Sequence, residues 1–213
     1  MRRFLISDMH FGHKNILKYE NRPFKDLHEM EREIRNNWNN TVAKNDMVFV
    51  LGDISFDNVE QTAKIIQSLY GRKILIIGNH DTRSVKQYLD MGFESVYKWP
   101  IIVDEFFILS HAPVYLNDAM PYANIHGHLH GKNISGNYFN VSVENIDYTP
   151  IDFDKVKKAL RADDRSIDQR VDDLNNYTLQ QQLDNANRER IDLARKLANI
   201  EAEVAERNKN ELF

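Results

Sequence analysis

An α/β fold with a βαβαβ beginning and a partly antiparallel sheet is what this sequence predicts. Short apolar runs of strand length alternate with stretches whose apolar residues recur every three or four positions. All eight glycines and five prolines fall in the first 160 residues, where they punctuate those runs. The stretch 93–110 reads as consecutive strands with a turn at Asp104-Glu105, so part of the sheet is expected to be mixed or antiparallel.

Strands are expected at 3–7, 47–51, 73–77, 106–110, 123–126 and 138–143. Between the first two, Leu27, Met30, Ile34 and Trp38 share one helix face, and Asp26 stands where a capping oxygen is needed. A second helix follows the second strand, with Val59, Ala63, Ile66 and Leu69 as its stripe and Gly71 as its stop. A short third helix runs from near Ser84 to before Gly92, and a closing helix covers 152–162.

A chain of 213 residues with 42% hydrophobic and 28% charged residues fits a globular domain with a real core. The net charge of −4 draws it neither to duplex DNA nor to an anionic membrane, so attraction for phosphate has to come from a local site. There is no cysteine, which excludes disulfides and thiolate metal sites and leaves His, Asp, Glu and Asn as metal ligands. The apolar run at 4–6 is too short for a signal segment, and no stretch has the apolar length of a membrane helix. A cytoplasmic location is the expectation.

The polar residues at the strand ends carry the functional signal. The first strand runs into Asp8-Met9-His10, the second into Gly52-Asp53 and the third into Gly78-Asn79-His80-Asp81. Two later strands end in His111 and in Gly127-His128-Leu129-His130. Ligands of open α/β sheets bind at the carboxyl ends of strands, so five runs would deliver metal-capable side chains to one rim. Of the eight histidines, five lie at strand ends, and only His28 sits on an expected helix. Asp-x-His, Gly-Asp or a lone His is, taken singly, an ordinary turn or structural residue. The whole set, in order and each after an apolar run, is not accounted for by turn chemistry. His128 and His130 would face one cavity if their strand continued, while His126 would point away as a structural residue.

The order Asp-x-His, Gly-Asp, Gly-Asn-His-Asp, His and Gly-His-x-His resembles the calcineurin-like metallophosphoesterase superfamily. The segments 8–15 and 140–144, with Tyr148 and Pro150, resemble its small single-domain bacterial and phage branch. The resemblance implies a β-sandwich of mixed sheets flanked by helices over residues 1–162. It implies that Asp8, His10, Asp53 and His130 hold one divalent cation, and that Asp53, Asn79, His111 and His128 hold another, with Asp53 bridging. Such a ligand set suits Mn, Fe, Zn or Ni, with Mn preferred here. The implied reaction is hydrolysis of a phosphate diester by a metal-bridging hydroxide, with His80 assisting the leaving group and Asp81 orienting His80. The alternatives are a phosphomonoesterase and a catalytically silent scaffold of the same fold; retention of every ligand and of His80 favours the enzyme. His13, Lys14, Asn15 and Arg83 are candidates for contact with a small phosphorylated substrate, such as a nucleotide or short oligonucleotide.

Residues 163–213 form a separate tail without glycine or proline. Leu179, Leu183, Ala186, Arg190, Leu193, Leu197, Ile200 and Val204 keep four-three spacing. One long amphipathic helix and a coiled coil that joins copies of the chain are both open readings of that pattern.

Overall fold

A computed structural model describes residues 1–117, 119–160 and 183 of the chain. In chain order the elements are β1 (Arg3–Ile6), α1 (Ile16–Tyr19), α2 (Leu27–Thr41), β2 (Met47–Val50), α3 (Val59–Ser68), β3 (Arg72–Ile76) and α4 (Val85–Met91). They continue as β4 (Ser95–Tyr97), β5 (Ile101–Val103), β6 (Phe107–Leu109), β7 (Ala123–His126), β8 (Tyr138–Asn140), β9 (Ile151–Asp152) and α5 (Phe153–Ala159).

The strands make two sheets. The first has the order β4-β3-β2-β1-β9, parallel except for β9, which runs antiparallel to β1. The second has the order β5-β6-β7-β8, with only the β5–β6 pair antiparallel. Both sheets are therefore mixed, as expected. The chain passes from one sheet to the other over Lys98–Pro100, between β4 and β5, and reverses again at Asp104 and Glu105, both with positive φ. One hydrophobic core draws on Leu5, Val50 and Leu75 of the first sheet and Leu109 and Ile125 of the second. Phe153 of α5 touches both, with ring centroids 6.5 Å from Phe49 and 5.1 Å from Phe107.

The helices form for local reasons. Asp26 accepts the Glu29 N–H at 2.8 Å and starts α2, which buries Met30, Ile34 and Trp38. Ser84 and Gln87 form a reciprocal capping box on α4, and Gly92 ends it in the left-handed region at φ 111°.

Three expectations change. α3 ends at Ser68, short of Gly71, because the Ser68 hydroxyl turns back to the Ile65 carbonyl and Asn39 holds Ser68 and Tyr70. Its buried face is Thr62, Ile65 and Ile66, and Val59 faces solvent. The run 138–143 leaves the second sheet after Asn140, whose side chain accepts the Ser142 N–H, and Ser142 pairs with Ser7 beyond the end of β1. The closing helix is shorter than 152–162, with Asp152 as its cap. The expected C-terminal helix or coiled coil, and an oligomer built through it, lie outside the described residues. No described helix is long and apolar enough to cross a membrane.

Asp104 ties three elements together. It accepts from both terminal nitrogens of Arg3 at 2.6 and 2.7 Å, and Lys157 of α5 stands 2.9 Å away. The Arg3 hydrogen bonds outweigh partial burial and, with Lys157, hold its carboxyl down at about 2. A depressed carboxylate stabilises the fold above its unfolded value of about 3.9, and the contribution drains away as pH falls towards 2. Asp104→Asn is expected to lower stability by about 1 kcal/mol at neutral pH, since these pairs are partly exposed. The melting-temperature gap to the native chain should narrow between pH 4 and pH 2, and a gap that widens on acidification would contradict the assignment.

Candidate metal centre

Five loops meet at the carboxyl ends of the parallel strands, and backbone hydrogen bonds stitch them together. Beyond β1 and β2 the chain continues side by side, with Asp8 N–H on Gly52 O at 3.1 Å, His10 N–H on Asp53 O at 3.1 Å and Phe11 N–H on Ile54 O at 2.9 Å. The loop after β3 joins through Asp81, whose carboxylate accepts the N–H groups of Asp53, Gly78 and Ile54 at 2.8, 2.9 and 3.1 Å. The loop after β7 joins through the Gly127 N–H on His111 O at 2.9 Å and the His128 N–H on Asp8 Oδ2 at 2.8 Å.

The backbone is strained where the expected ligands sit. Asp8, His10, Asp53, His128 and His130 all have φ between 50° and 68°, a region that costs a residue with a Cβ about 1–3 kcal/mol. They are five of the ten such residues in the described chain. Gly127 shows how closely the loops approach: a Cβ there would lie inside contact distance of the Ser7 and Asp8 side chains. His128 and His130 reach the site from this turn. β7 ends at His126, so the expected strand continuation does not occur.

All seven expected ligands come together. A single oxygen, Asp53 Oδ2, lies 3.7 Å from His10 Nε2 and 3.4 Å from His111 Nε2. Ligand atoms of Asp8, His10 and His130 lie within 4.8 Å of one another, and so do those of Asp8, Asp53 and His111. His111 Nδ1 faces the Leu51 carbonyl at 2.8 Å, so in the neutral ring Nδ1 carries the proton and Nε2 is a lone pair. That lone pair points at Asn79 Oδ1, 2.7 Å away, and at His128 Nδ1, 3.2 Å away. Asp8 Oδ1 and both nitrogens of His10 are fully buried and have no hydrogen-bond partner. Carboxylate and imidazole atoms converging unpaired, in part shielded from water, fit divalent cations.

The electrostatics favour the same occupant. Burial pushes the Asp8 carboxyl up, but His10, His111 and His130 beside it outweigh that and hold it well below the usual range. Burial, then the neighbouring His111, push His128 down, towards the neutral imidazole that binds metal.

Two groups the sequence reading did not use hold His130. Glu144 Oε1 lies 3.1 Å from His130 Nδ1, and a carboxylate can only accept, so Nε2 is left free for a metal. Arg22 donates to the same oxygen at 2.6 and 2.9 Å and to the Asp8 carbonyl at 2.7 Å. Glu20, His130 and Glu144 also cluster within 4.8 Å, but Arg22 already supplies the positive charge there. Glu144→Gln is expected to weaken Mn²⁺ binding roughly 10–100-fold, as for other supports of metal-bound histidines. Competition against a chelating dye, well below the melting temperature, measures it; unchanged affinity would remove this role from Glu144.

The remaining expected residues fare differently. His80 is exposed, its N–H donates to Asp53 Oδ1 at 2.9 Å, and its ring lies 5.8 Å from His10. Asp81 was expected to orient the His80 ring, but its carboxylate is occupied by the three amides above, so it positions the Asp53 loop. Arg83 donates to the Ser55 and Asp57 carbonyls. His13 lies beside His10 at 5.6 Å, while Lys14 and Asn15 are exposed at the start of α1. Buried His126 contacts Tyr138 at 6.1 Å and takes no part in the ligand set.

A family model described as calcineurin-like phosphoesterase matches residues 1–194. An uncharacterised protein of Methanocaldococcus jannaschii is 35% identical over 172 residues, 74% of this chain and 90% of that one. The gene 66 protein of Mycobacterium phage L5 is 37% identical over 81 residues, 37% of this chain and 39% of its own. The crystal structure of a protein of unknown function from Aquifex aeolicus superposes with a TM-score of 0.59 at 28% identity, covering 74% of this chain and 98% of that one.

Proposed function

The chain belongs to the calcineurin-like phosphoesterase family, and on that premise we propose that it hydrolyses phosphate diesters with two divalent transition-metal ions, manganese foremost. Asp8, His10, Asp53 and His130 would hold one ion, and Asp53, Asn79, His111 and His128 the other. The observation that carries the reading is the position of Asp53 Oδ2 between His10 and His111, 3.7 and 3.4 Å away. When bound, such ions polarise phosphoryl oxygens and acidify a water molecule.

The chain's own residues supply the rest. Asn79 and His128 lie on the exposed side of the ligand set, where a phosphate ester can enter. The His80 ring stands there too, hung from Asp53 through its backbone N–H, and is placed to give a proton to a departing alkoxide. Asp81 fixes the Asp53 loop, and Arg22 and Glu144 fix Asp8 and His130. A diester is proposed over a monoester because Asn79 and His128 stand on the exposed side of the ligand set, which leaves room for a second ester substituent. The substrate is proposed to be a small molecule such as a nucleotide or short oligonucleotide.

A substrate panel tests this, with Mn²⁺ present: a phosphomonoester, a chromogenic diester, 2′,3′- and 3′,5′-cyclic nucleotides, dinucleotides and short RNA. Diester turnover that a chelator abolishes, with the monoester at least tenfold slower, is expected. A faster monoester would make the protein a phosphomonoesterase. Metal binding without turnover of any ester would make it a silent scaffold.

A further inference from the structure

Beside the ligand set stands an aromatic shelf that neither metal binding nor leaving-group protonation requires. Phe56, in the loop after β2, keeps 44% of its surface exposed although it is a large apolar residue. Its ring stacks on His13 at 4.2 Å with 24° between planes and on His10 at 5.4 Å with 20°. It also touches His80 at 5.0 Å. Beyond His13, Tyr19 of α1 stands edge-on at 6.0 Å and is 69% exposed. The backbone that carries Phe56 is tied down: the Phe56 N–H donates to Phe11 O at 2.7 Å, and the Phe11 N–H donates to Ile54 O of the same loop. Phe56 therefore lies face to face with His13, Tyr19 stands edge-on beyond it, and the side of Phe56 turned away from His13 is what remains open near His10 and the His80 imidazole.

An exposed, immobilised aromatic surface loses little entropy on binding and attracts flat π systems. A phosphate ester seated at the ligand set, with its leaving group towards His80, would bring that group alongside Phe56. We propose that Phe56, with His13 and Tyr19, forms a subsite that stacks a planar aromatic group carried by the substrate, a nucleobase, and so selects nucleotide diesters over aliphatic ones. This rests on the phosphoesterase reading and adds to it the residues that would select a base-bearing ester.

A matched pair of esters tests it on the full chain with Mn²⁺: a purine nucleoside cyclic phosphate and its abasic counterpart, in which hydrogen replaces the base. The reacting phosphate is the same in both. The native chain is expected to favour the nucleotide by roughly tenfold or more in kcat/KM, the usual worth of one stacked base. Phe56→Ala should erase most of that preference, chiefly through KM, and Phe56→Trp should keep it. In Phe56→Trp, binding of the purine nucleotide should also quench the new indole fluorescence, a readout independent of turnover. Equal rates for the two esters in the native chain, or a preference that survives Phe56→Ala, overturns the subsite and leaves the phosphoesterase reading intact. Turnover of neither ester, nor of any member of the broader panel, would instead defeat the phosphoesterase reading. A Phe56→Ala loss shared equally by both esters would show that Phe56 only packs against His10, and would also overturn the subsite.

Discussion

Asp53→Asn is expected to lower kcat/KM for a phosphate diester by about 10²–10³-fold, the scale on which removing one preorganised electrostatic group from a reacting centre acts. The substitution keeps the side chain's shape, and its remaining oxygen can still accept the His80 N–H that Asp53 Oδ1 now accepts. What disappears is the negative charge between His10 and His111. The folded state should not suffer. Asp53 is 2% exposed, and among the described residues its carboxylate meets neighbouring imidazoles and that one amide. The metal-free variant is therefore expected to melt at or above the native temperature, while the rise in melting temperature that Mn²⁺ gives the native chain should shrink sharply. Loss of activity through unfolding would show the opposite pattern.

The second large effect is expected at His80. A general acid that protonates a departing alkoxide contributes about 10²–10⁴-fold, and its worth depends on how badly the leaving group needs the proton. His80→Ala should therefore lose most of its kcat on an ester that releases a sugar hydroxyl. It should lose much less on one that releases a nitrophenolate. Metal affinity should stay near the native value, because His80 is exposed, meets Asp53 through its backbone N–H and has its ring 5.8 Å from His10. Equal losses on both esters would assign His80 to binding or to charge stabilisation. Undiminished hydrolysis of the alkoxide ester would remove it from the mechanism.

The convergence of the candidate ligands was legible because its signal is local. Each of Asp8, His10, Asp53, Asn79, His111, His128 and His130 follows an apolar run that reads as a buried strand, and parallel strands deliver their ends to one side. The division into two sheets is harder to read, because only Lys98, Trp99 and Pro100 separate β4 from β5 although the strands join different sheets. The buried face of α3 was misread because Val59 and Ala63 keep the right spacing, whereas tertiary packing turned Thr62 and Ile65 inward. His128 and His130 converge through left-handed turn residues, a conformation that periodicity does not reveal. Glu144 and Arg22 are 122 residues apart, and their bond exists only once β1, the turn after β7 and the 143–145 helical turn are assembled. Asp81 was visible as a site residue, but its partners were not. The resemblance set it against the His80 imidazole, whereas in the fold its carboxylate accepts three amides.

The account stands on the pairing of cations around Asp53, and anomalous diffraction from crystals of the full chain grown with Mn²⁺ examines that pairing directly. Two peaks about 3.5–4 Å apart, with the Asp53 carboxylate between them and Asn79 and His130 on opposite sides, are predicted. A lone peak on the Glu20–Glu144 side, or none within reach of Asp53, would contradict it.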